Sequence, residues 1–378
     1  MKNLSDCRIL LVDDAKANLD ILVEGLKSDY KLSLALNGEM ALQIAARTPP
    51  DLVLLDIVMP GLDGYEVCRR LRQTPETAEV PIMFLSALEE VQNKTRGFEE
   101  GANDYLTKPF EMLEVKARVR SLLKAKAYSD AVKEQIASEL RVAREIQMGI
   151  LPPDVSAVTD GTGLEAHAIL FPAQEVGGDL FEVIRMPDGN LLAVIGDVSG
   201  KGIPAALFMA VTTTLVRALA PDARRPEEIL RRVSDALVLH NPHTMFVTLL
   251  CAIYDARTGQ LDYASAGHPP LVLVREGSAE YLPLKPGMVA GIMAGLSAPS
   301  HSAQLQPDDL VVFYTDGVTE AFDAAGNLYG EPKLLEELAG HSGHTAAATT
   351  DALLRSVRAH AGAHPQSDDI TVLTLKRK

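Results

Sequence analysis

The stretch VGGDLFEV (residues 176–183) places an aspartate directly after two glycines and directly before a strand-like run. Such a turn presents one carboxylate, that of Asp179. Oxygen-ligand sites for hard divalent cations are assembled from several carboxylates, so Asp179 needs acidic companions. The next residue, Leu180, has no ligand atom in its side chain. The companions must therefore come from distant parts of the chain, and their positions decide the fold of this half.

Three further acidic turns occur, each joined to a long apolar run. LLAVIGDVSGKG puts Asp197 at the end of a strand, DLVVFYTDGVTE puts Asp316 likewise, and SDDITVLTL places Asp368 and Asp369 at the start of the last strand. Isolated Asp-Gly pairs are usually hairpin turns. Several acidic turns attached to buried strands instead favour a metal site built from strand ends.

The first 125 residues alternate strand-like runs (CRILLVDD, DLVLLDIVMP, PIMFLSA and DYLTKPF) with amphipathic segments such as residues 16–28. This rhythm predicts a parallel, doubly wound sheet, whose ligands lie beyond the carboxyl ends of the strands. Clustered carboxylates repel by about 4 kcal/mol per pair at about 4 Å and an effective dielectric of about 20, so they need a cation such as Mg²⁺. The polar residues at that edge are Asp13, Asp14, Asp56, Ser86 and Lys108.

With MPGLDG behind Asp56, the segment from about Arg8 to Leu123 resembles the receiver domain of two-component response regulators. The resemblance implies a flavodoxin-like fold with five strands, and Asp56 as the phosphoacceptor for a cognate histidine kinase or phosphotransfer protein. It also implies that Mg²⁺ is held by Asp13, Asp14, Asp56 and the carbonyl of Val58, and that the switch residues are Ser86, Tyr105 and Lys108. The family has a cis peptide bond before Pro109.

Residues 111–150 contain no proline and one glycine, which predicts a long helix. A four-residue stutter through Ala125, Tyr128 and Val132 would repair the polar middle of its heptad ladder. The sequence favours a parallel coiled-coil dimer, with a helix packed on its own domain as the alternative. The ladder comprises Val115, Val119, Leu122, Lys126, Ser129, Lys133, Ile136, Leu140, Ala143, Gln147 and Ile150.

Residues 140–378 resemble the SpoIIE/RsbU branch of the metal-dependent protein phosphatase 2C family. The resemblance lies in ELRVAREIQMGILPP, EVGGDLFEV, GDVSGKGIPAALFM, ASAGHPPLVL, VVFYTDGVTEAFD and DDITVLTL, in the family's order. It implies two antiparallel sheets packed face to face with helices outside. It also implies two Mn²⁺ or Mg²⁺ ions bridged by Asp197 with the Val198 carbonyl, and completed by Asp179, Asp316 and Asp368.

Two assignments within this resemblance stay open: the acidic ligand of the final motif and the general acid. Asp368 fills the acidic slot of the final motif, whereas Asp369 fills a slot where the wider family often has Asn. Glu182 stands where the family usually has Asp, and His268 is a possible general acid, although a histidine between Gly and Pro is more often structural.

Diguanylate cyclases also begin their metal site with Gly-Gly-Asp, but they require an acidic residue where this chain has Leu180. The preceding AHAILFPAQE also lacks the Asn-Arg turn of that family. The chain therefore lacks the acidic residue on which catalysis by a diguanylate cyclase would depend.

We expect three segments: a receiver (1–124), a dimerising helical linker (125–152) and a phosphatase domain (153–378). The resemblance implies that phosphorylation of Asp56 controls a serine/threonine phosphatase, whose substrate is a phosphoserine on an anti-sigma-factor antagonist. The alternative is a non-enzymatic adaptor that binds a sigma or anti-sigma regulatory protein through a phosphatase-like domain. Four intact aspartates weigh against that alternative.

The composition of the chain restricts which binding partners and which cellular compartment we expect. The 378 residues carry 51 acidic and 36 basic side chains, a net charge of -15, which argues against nucleic acid and anionic membranes. The first residues contain too short an apolar run for a signal peptide, and IPAALFMAVTTTLV (203–216) falls short of a membrane span, which predicts a buried helix. Three cysteines without paired spacing favour free thiols in a reducing cytoplasm.

Overall fold

The computed structural model describes residues 3–87, 100–239, 241–285 and 287–378 of the chain. It contains two compact units, Met1–Ser138 and Glu139–Lys378.

The first unit is built on a five-stranded parallel sheet with the strand order β2-β1-β3-β4-β5. Hydrophobic cores lie on both faces of the sheet. This arrangement confirms the doubly wound fold predicted from the alternating pattern. The strands are β1 (Arg8–Val12), β2 (Lys31–Ala35), β3 (Leu52–Asp56), β4 (Ile82–Ala87) and β5 (Asp104–Lys108), and the first helices are α1 (Lys16–Leu26), α2 (Gly38–Arg47) and α3 (Gly64–Gln73).

The long helix predicted after the receiver strands is present as α4 (Met112–Ile150). Its first turns belong to the receiver core, because Val115 and Val119 are fully buried there. Further along, Tyr128 and Ile136 are 72% and 52% exposed. The first two positions of the heptad ladder, Val115 and Val119, therefore pack inside the first unit. The apolar residues in the middle of α4 stay available to a partner, and the coiled coil stays a prediction.

The second unit contains two five-stranded antiparallel sheets, with orders β13-β10-β9-β8-β7 and β12-β11-β14-β15-β6. Strands β9 and β10 form an antiparallel hairpin around Thr258 and Gly259, with Gly259 at φ 76°. The strands are β6 (Leu164–Phe171), β7 (Leu180–Arg185), β8 (Leu191–Val198), β9 (Val247–Tyr254), β10 (Gln260–Ala266), β11 (Val272–Arg275), β12 (Ser278–Tyr281), β13 (His301–Gln304), β14 (Leu310–Tyr314) and β15 (Ile370–Arg377).

Alternation along β14 shows how these sheets pack. Val311 and Phe313 belong to the core shared by both sheets, whereas Val312 and Tyr314 belong to a second core beneath the outer helices. Successive strand residues point to opposite faces, so a strand buried on both sides has a continuous apolar sequence. The helices are α5 (Val155–Val158), α6 (Ile203–Leu219), α7 (Pro226–Val238), α8 (Asp316–Thr319), α9 (Gly330–Ala339) and α10 (Ala346–Ala361).

Helix α6 follows the glycine-rich turn after β8 and is buried on one face. Ala205, Met209 and Val216 are inaccessible to solvent, whereas Ile203 and Leu207 are more than half exposed. The segment 203–222 is long and apolar enough for a membrane span. Its packing against β7 and β8 is that of a helix on a protein core.

Candidate functional sites

The carboxyl edge of the receiver sheet gathers three carboxylates. Asp13 and Asp14 follow β1 and Asp56 ends β3. Each offers one oxygen within 4.8 Å of the others, and no other set of three acidic, histidine or cysteine residues does so in the described part of the chain. Hard oxygen donors at this spacing fit Mg²⁺.

Lys108 joins two of these carboxylates, since its Nζ lies 2.8 Å from Asp13 Oδ2 and 2.8 Å from Asp56 Oδ2. Burial raises the pKa of Asp56, and Lys108 opposes that shift. Burial would lower the pKa of Lys108, but its hydrogen bonds to Asp13 and Asp56 raise it overall. The lysine therefore remains a cation beside the predicted phosphoacceptor.

Among the other predicted receiver residues, Ser86 lies at the same edge, whereas Tyr105 lies three residues before Lys108 within β5. Ser86 is buried near the end of β4, one position beyond the residue that pairs with Asp56. The ring of Tyr105 packs 5.6 Å from that of Phe84, and burial raises the pKa of Tyr105 to about 12. The Lys108–Pro109 peptide bond is cis, and the Val58 side chain is exposed. The roles of these residues stay predictions.

In the second unit, the Gly-Gly-Asp turn needs its two glycines because other segments of the chain approach its backbone closely. A Cβ at Gly177 would lie 1.9 Å from Asp369 Oδ2, and one at Gly178 would lie 2.7 Å from the Val198 carbonyl oxygen. Asp369 accepts hydrogen bonds from the amides of Gly178 at 2.7 Å and Ala173 at 2.8 Å. Any larger residue at these glycines would displace the loop that carries Asp179.

The carboxylate of Asp179 is 2% exposed and is held by two hydroxyl groups. Thr315 and Thr371 donate hydrogen bonds to Asp179 Oδ2 at 2.8 and 2.5 Å. Burial, followed by the charges of Asp197 and Asp369, raises the pKa of Asp179 well above its usual value. The sequence argument missed both threonines, although each lies within three residues of an acidic turn.

Asp197 lies within hydrogen-bonding distance of Asp179. Burial, then the charges of Asp316, Asp368 and Asp369, raise the pKa of Asp197 from 3.8 to about 7. The pKa of Asp316 is also raised, by burial first and then by Glu320 and Asp368. Such mutual repulsion is the electrostatic condition that a bound divalent cation relieves.

The two aspartates of the final motif differ in their surroundings. Both oxygens of Asp369 accept from backbone amides, whereas Asp368 Oδ2 lies 3.0 Å from Lys201 Nζ and its side chain is 35% exposed. Lys201 also donates to the Ser367 carbonyl. Asp369 thus serves to hold the loop, and the choice of Asp368 as the cation ligand stays a prediction.

The acidic residues of the second unit are more widely spaced than those of the receiver, because no three of them bring oxygens within 4.8 Å among the described residues. They nevertheless act on one another electrostatically, and all belong to loops or strand ends at the same edge of the two sheets. An all-oxygen donor set of this kind fits Mn²⁺ or Mg²⁺.

His268 connects the two sheets. Its Nδ1 lies 2.9 Å from Thr248 Oγ1, and its Nε2 lies 3.1 Å from the Tyr314 carbonyl oxygen. Burial lowers the pKa of His268 to about 3, so the ring is neutral. Thr248 pairs with Asp197 in the sheet, and Tyr314 precedes Asp316 by two residues. The histidine therefore fixes two acidic strand ends, which favours its structural role.

Comparison with known proteins agrees with this architecture. The family model described as Stage II sporulation protein E (SpoIIE) matches residues 187–378, about half of the chain. The chain belongs to the SpoIIE family. A second model, described as the response regulator receiver domain, matches residues 9–120. Asp197, Asp316 and Asp368 lie inside the SpoIIE match, and Asp179 lies just before it.

Curated relatives match parts of the chain. Response regulator PleD of Caulobacter vibrioides is 41% identical over 157 residues, covering 41% of this chain and 33% of that protein. Protein IcfG of Synechocystis is 27% identical over 267 residues, covering 63% of this chain and 41% of that protein. The chain thus spans a third to two fifths of the length of these relatives.

Solved structures resemble the second unit. The SiaA-PP2C domain of Pseudomonas aeruginosa has a TM-score of 0.59 at 24% identity, covering 66% of this chain and 99% of that chain. The PP2C phosphatase domain of SpoIIE from Bacillus subtilis, with a fragment of its regulatory domain, has a TM-score of 0.50 at 19% identity, covering 56% and 63%. At these identities the likeness shows a common fold.

The raised pKa of Asp197 leads to a prediction about metal-free protein. Folding raises the pKa of Asp197, so the fold favours the neutral form of this side chain over the ionised form. Its contribution to stability is therefore full at pH values below about 4 and is lost as pH rises through about 7. Asp197→Asn should therefore stabilise protein stripped with a chelator, and the gain in unfolding free energy should grow by about 2–3 kcal/mol between pH 5 and pH 8. Urea unfolding at both values measures it.

Asp160→Asn, at an exposed aspartate of the same unit, is the matched control for this substitution. A stabilisation by Asp197→Asn that does not change with pH would contradict the electrostatic account of the cluster.

Proposed function

We propose that this chain is a response regulator whose receiver, phosphorylated at Asp56, controls a metal-dependent protein serine/threonine phosphatase. The observation that carries the proposal is the gathering of Asp179, Asp197, Asp316 and Asp368 at one edge of the two sheets, with Thr315 and Thr371 holding the Asp179 carboxylate. Membership of the SpoIIE family and the PP2C fold support it. The receiver match supports control by a phosphodonor, such as a histidine kinase or phosphotransfer protein.

In this proposal Asp179, Asp197, Asp316 and Asp368, with the Val198 carbonyl, hold two Mn²⁺ or Mg²⁺ ions. When bound, such ions neutralise phosphoryl oxygens and lower the pKa of a water near phosphorus. The chain's own residues hold the ligand carboxylates in position. Thr315 and Thr371 fix the Asp179 carboxylate.

The proposed substrate is a phosphoserine on an anti-sigma-factor antagonist, as the family resemblance implies. The net charge of -15 supports protein rather than nucleic-acid or anionic-membrane partners. Cys7, Cys68 and Cys251 are buried and form no disulfide, which supports a cytoplasmic location.

We also propose that α4 mediates a homodimer through its middle turns. Tyr128, Val132 and Ile136 are exposed there at four-residue spacing. An apolar stripe on a helix far from its own core is favoured in a coiled-coil seam.

Asp197→Ala tests the catalytic proposal. Loss of a bridging ligand should lower Mn²⁺-dependent hydrolysis of a phosphoserine peptide by at least about 100-fold, since even outer-shell partners of metal sites cost about 10–100-fold. Steady-state rates of the full chain measure it, with Asp160→Ala as the matched control. Equal, negligible rates for wild type and Asp197→Ala would support the adaptor alternative instead.

Receiver control is tested with beryllofluoride, which mimics the phosphoryl group. We expect the treated full chain to hydrolyse phosphoserine peptide at least several-fold faster, which corresponds to about 1–3 kcal/mol of coupling. Asp56→Asn should abolish the response, and Asp20→Asn, on an exposed face of α1, should preserve it. Identical turnover with and without beryllofluoride in wild type would refute the coupling.

The dimer is tested by replacing Ile136 and Leu140 together with glutamate. Charges in an apolar seam should separate the subunits, so sedimentation equilibrium should show half of the wild-type mass. Ser138→Glu adds a charge to the same helix between these positions and should leave the mass unchanged. An unchanged mass in the double variant would refute the seam.

A further inference from the structure

One side chain of α4 contacts the loop that carries Asp179. Gln147 is 6% exposed, and its Nε2 donates a hydrogen bond to the Gly177 carbonyl at 2.6 Å. The Gly177 amide donates in return to Gln147 Oε1 at 3.1 Å. A carboxamide thus satisfies both backbone polar groups of one residue, as a neighbouring strand would. Gly177 lies two residues before Asp179.

Gly177 and Gly178 hydrogen-bond with three partners, of which Gln147 is one. Asp369 accepts from the Gly178 amide at 2.7 Å, and the Val198 amide donates to the Gly178 carbonyl at 3.3 Å. These two partners belong to the sheets that carry the other acidic residues. Among the described residues, Gln147 is the partner of Gly177 and Gly178 that comes from α4.

A second contact fixes the end of the same helix. Arg217 of α6 donates to the carbonyl of Ile150, the last residue of α4, and lies 2.5 Å from Glu182 Oε1 in β7. A cation at a helix C-terminus is favourable, because the last carbonyls carry partial negative charge. Glu182 follows Asp179 by three residues. The end of α4 is therefore tied to the strand that begins at the Gly-Gly-Asp turn.

We propose that Gln147 is a positioning residue for this site: the placement of α4 sets the position of Gly177, and Gly177 sets the distance of Asp179 from Asp197. The proposal rests on the proposed function and names the contact through which α4 acts. The helix also contributes Val115 and Val119 to the receiver core, so it is an element of both units. Displacement of Gln147 loosens the loop that carries Asp179.

The test is Gln147→Leu in the full chain, which keeps an uncharged side chain of similar volume and helix propensity but removes both hydrogen bonds. The concentration of Mn²⁺ that gives half-maximal hydrolysis should rise about tenfold, since two buried hydrogen bonds are lost. At saturating Mn²⁺, kcat and KM should return to wild-type values. A general loss of structure would instead lower kcat at every Mn²⁺ concentration.

Hydrogen exchange gives a readout that does not depend on activity. In metal-free protein, a peptide covering residues 173–181 should exchange faster in Gln147→Leu, because the Gly177 amide has lost its acceptor. Met148→Leu, at the next and more exposed position, should exchange as wild type does and show the wild-type Mn²⁺ dependence. If Gln147→Leu does not fold, Gln147→Met removes the same bonds with an unbranched side chain.

Unchanged exchange in residues 173–181 together with unchanged Mn²⁺ dependence would overturn the positioning role. Absence of Mn²⁺-dependent hydrolysis in wild type would refute the proposed function, while the exchange comparison would still decide whether Gln147 holds the loop.

Discussion

Repulsion among buried and half-buried carboxylates is the constraint on which the second unit depends. Asp179 is almost inaccessible to water and lies against Asp197, with further acidic groups nearby. Burial alone disfavours ionised carboxylates, and neighbouring negative charges add to that cost. The fold holds them together with other interactions: two threonine hydroxyl groups on Asp179, backbone amides on Asp369, and an inter-sheet histidine between the strands. A site that is unfavourable by itself and rigidly held is suited to cations.

The receiver relieves the same kind of repulsion differently. There, Lys108 lies between Asp13 and Asp56 and supplies positive charge from the chain itself. Its three carboxylates have oxygens within 4.8 Å of one another, whereas no three acidic residues of the second unit do so in the described part of the chain. The two acidic sites thus differ in where the chain places its positive charge: Lys108 lies between two receiver carboxylates, whereas Lys201 lies 3.0 Å from Asp368.

Much of this architecture could be predicted from the sequence because its strongest signals are local. Buried strands such as β3 and β14 are continuous apolar runs, and acidic turns follow them directly. Strand β2 (Lys31–Ala35) carries a weaker signal, because it is a half-exposed edge strand with a mixed pattern. The heptad ladder in α4 predicted the helix, but it treated positions with different contacts as one seam. Val119 packs in the receiver core, whereas Gln147 binds a distant loop. Contacts such as Gln147 with Gly177 depend on tertiary geometry that spacing along the chain does not encode.

The central claim is that four aspartates from distant strand ends form one site for paired cations. Isothermal titration of Mn²⁺ into the full chain tests it most directly, with Asp13→Asn used to remove the receiver site. The account predicts two Mn²⁺ ions bound per chain in Asp13→Asn, and loss of this binding when Asp197→Ala is added. Failure of Asp13→Asn to bind Mn²⁺, or equal binding with and without Asp197, would contradict it.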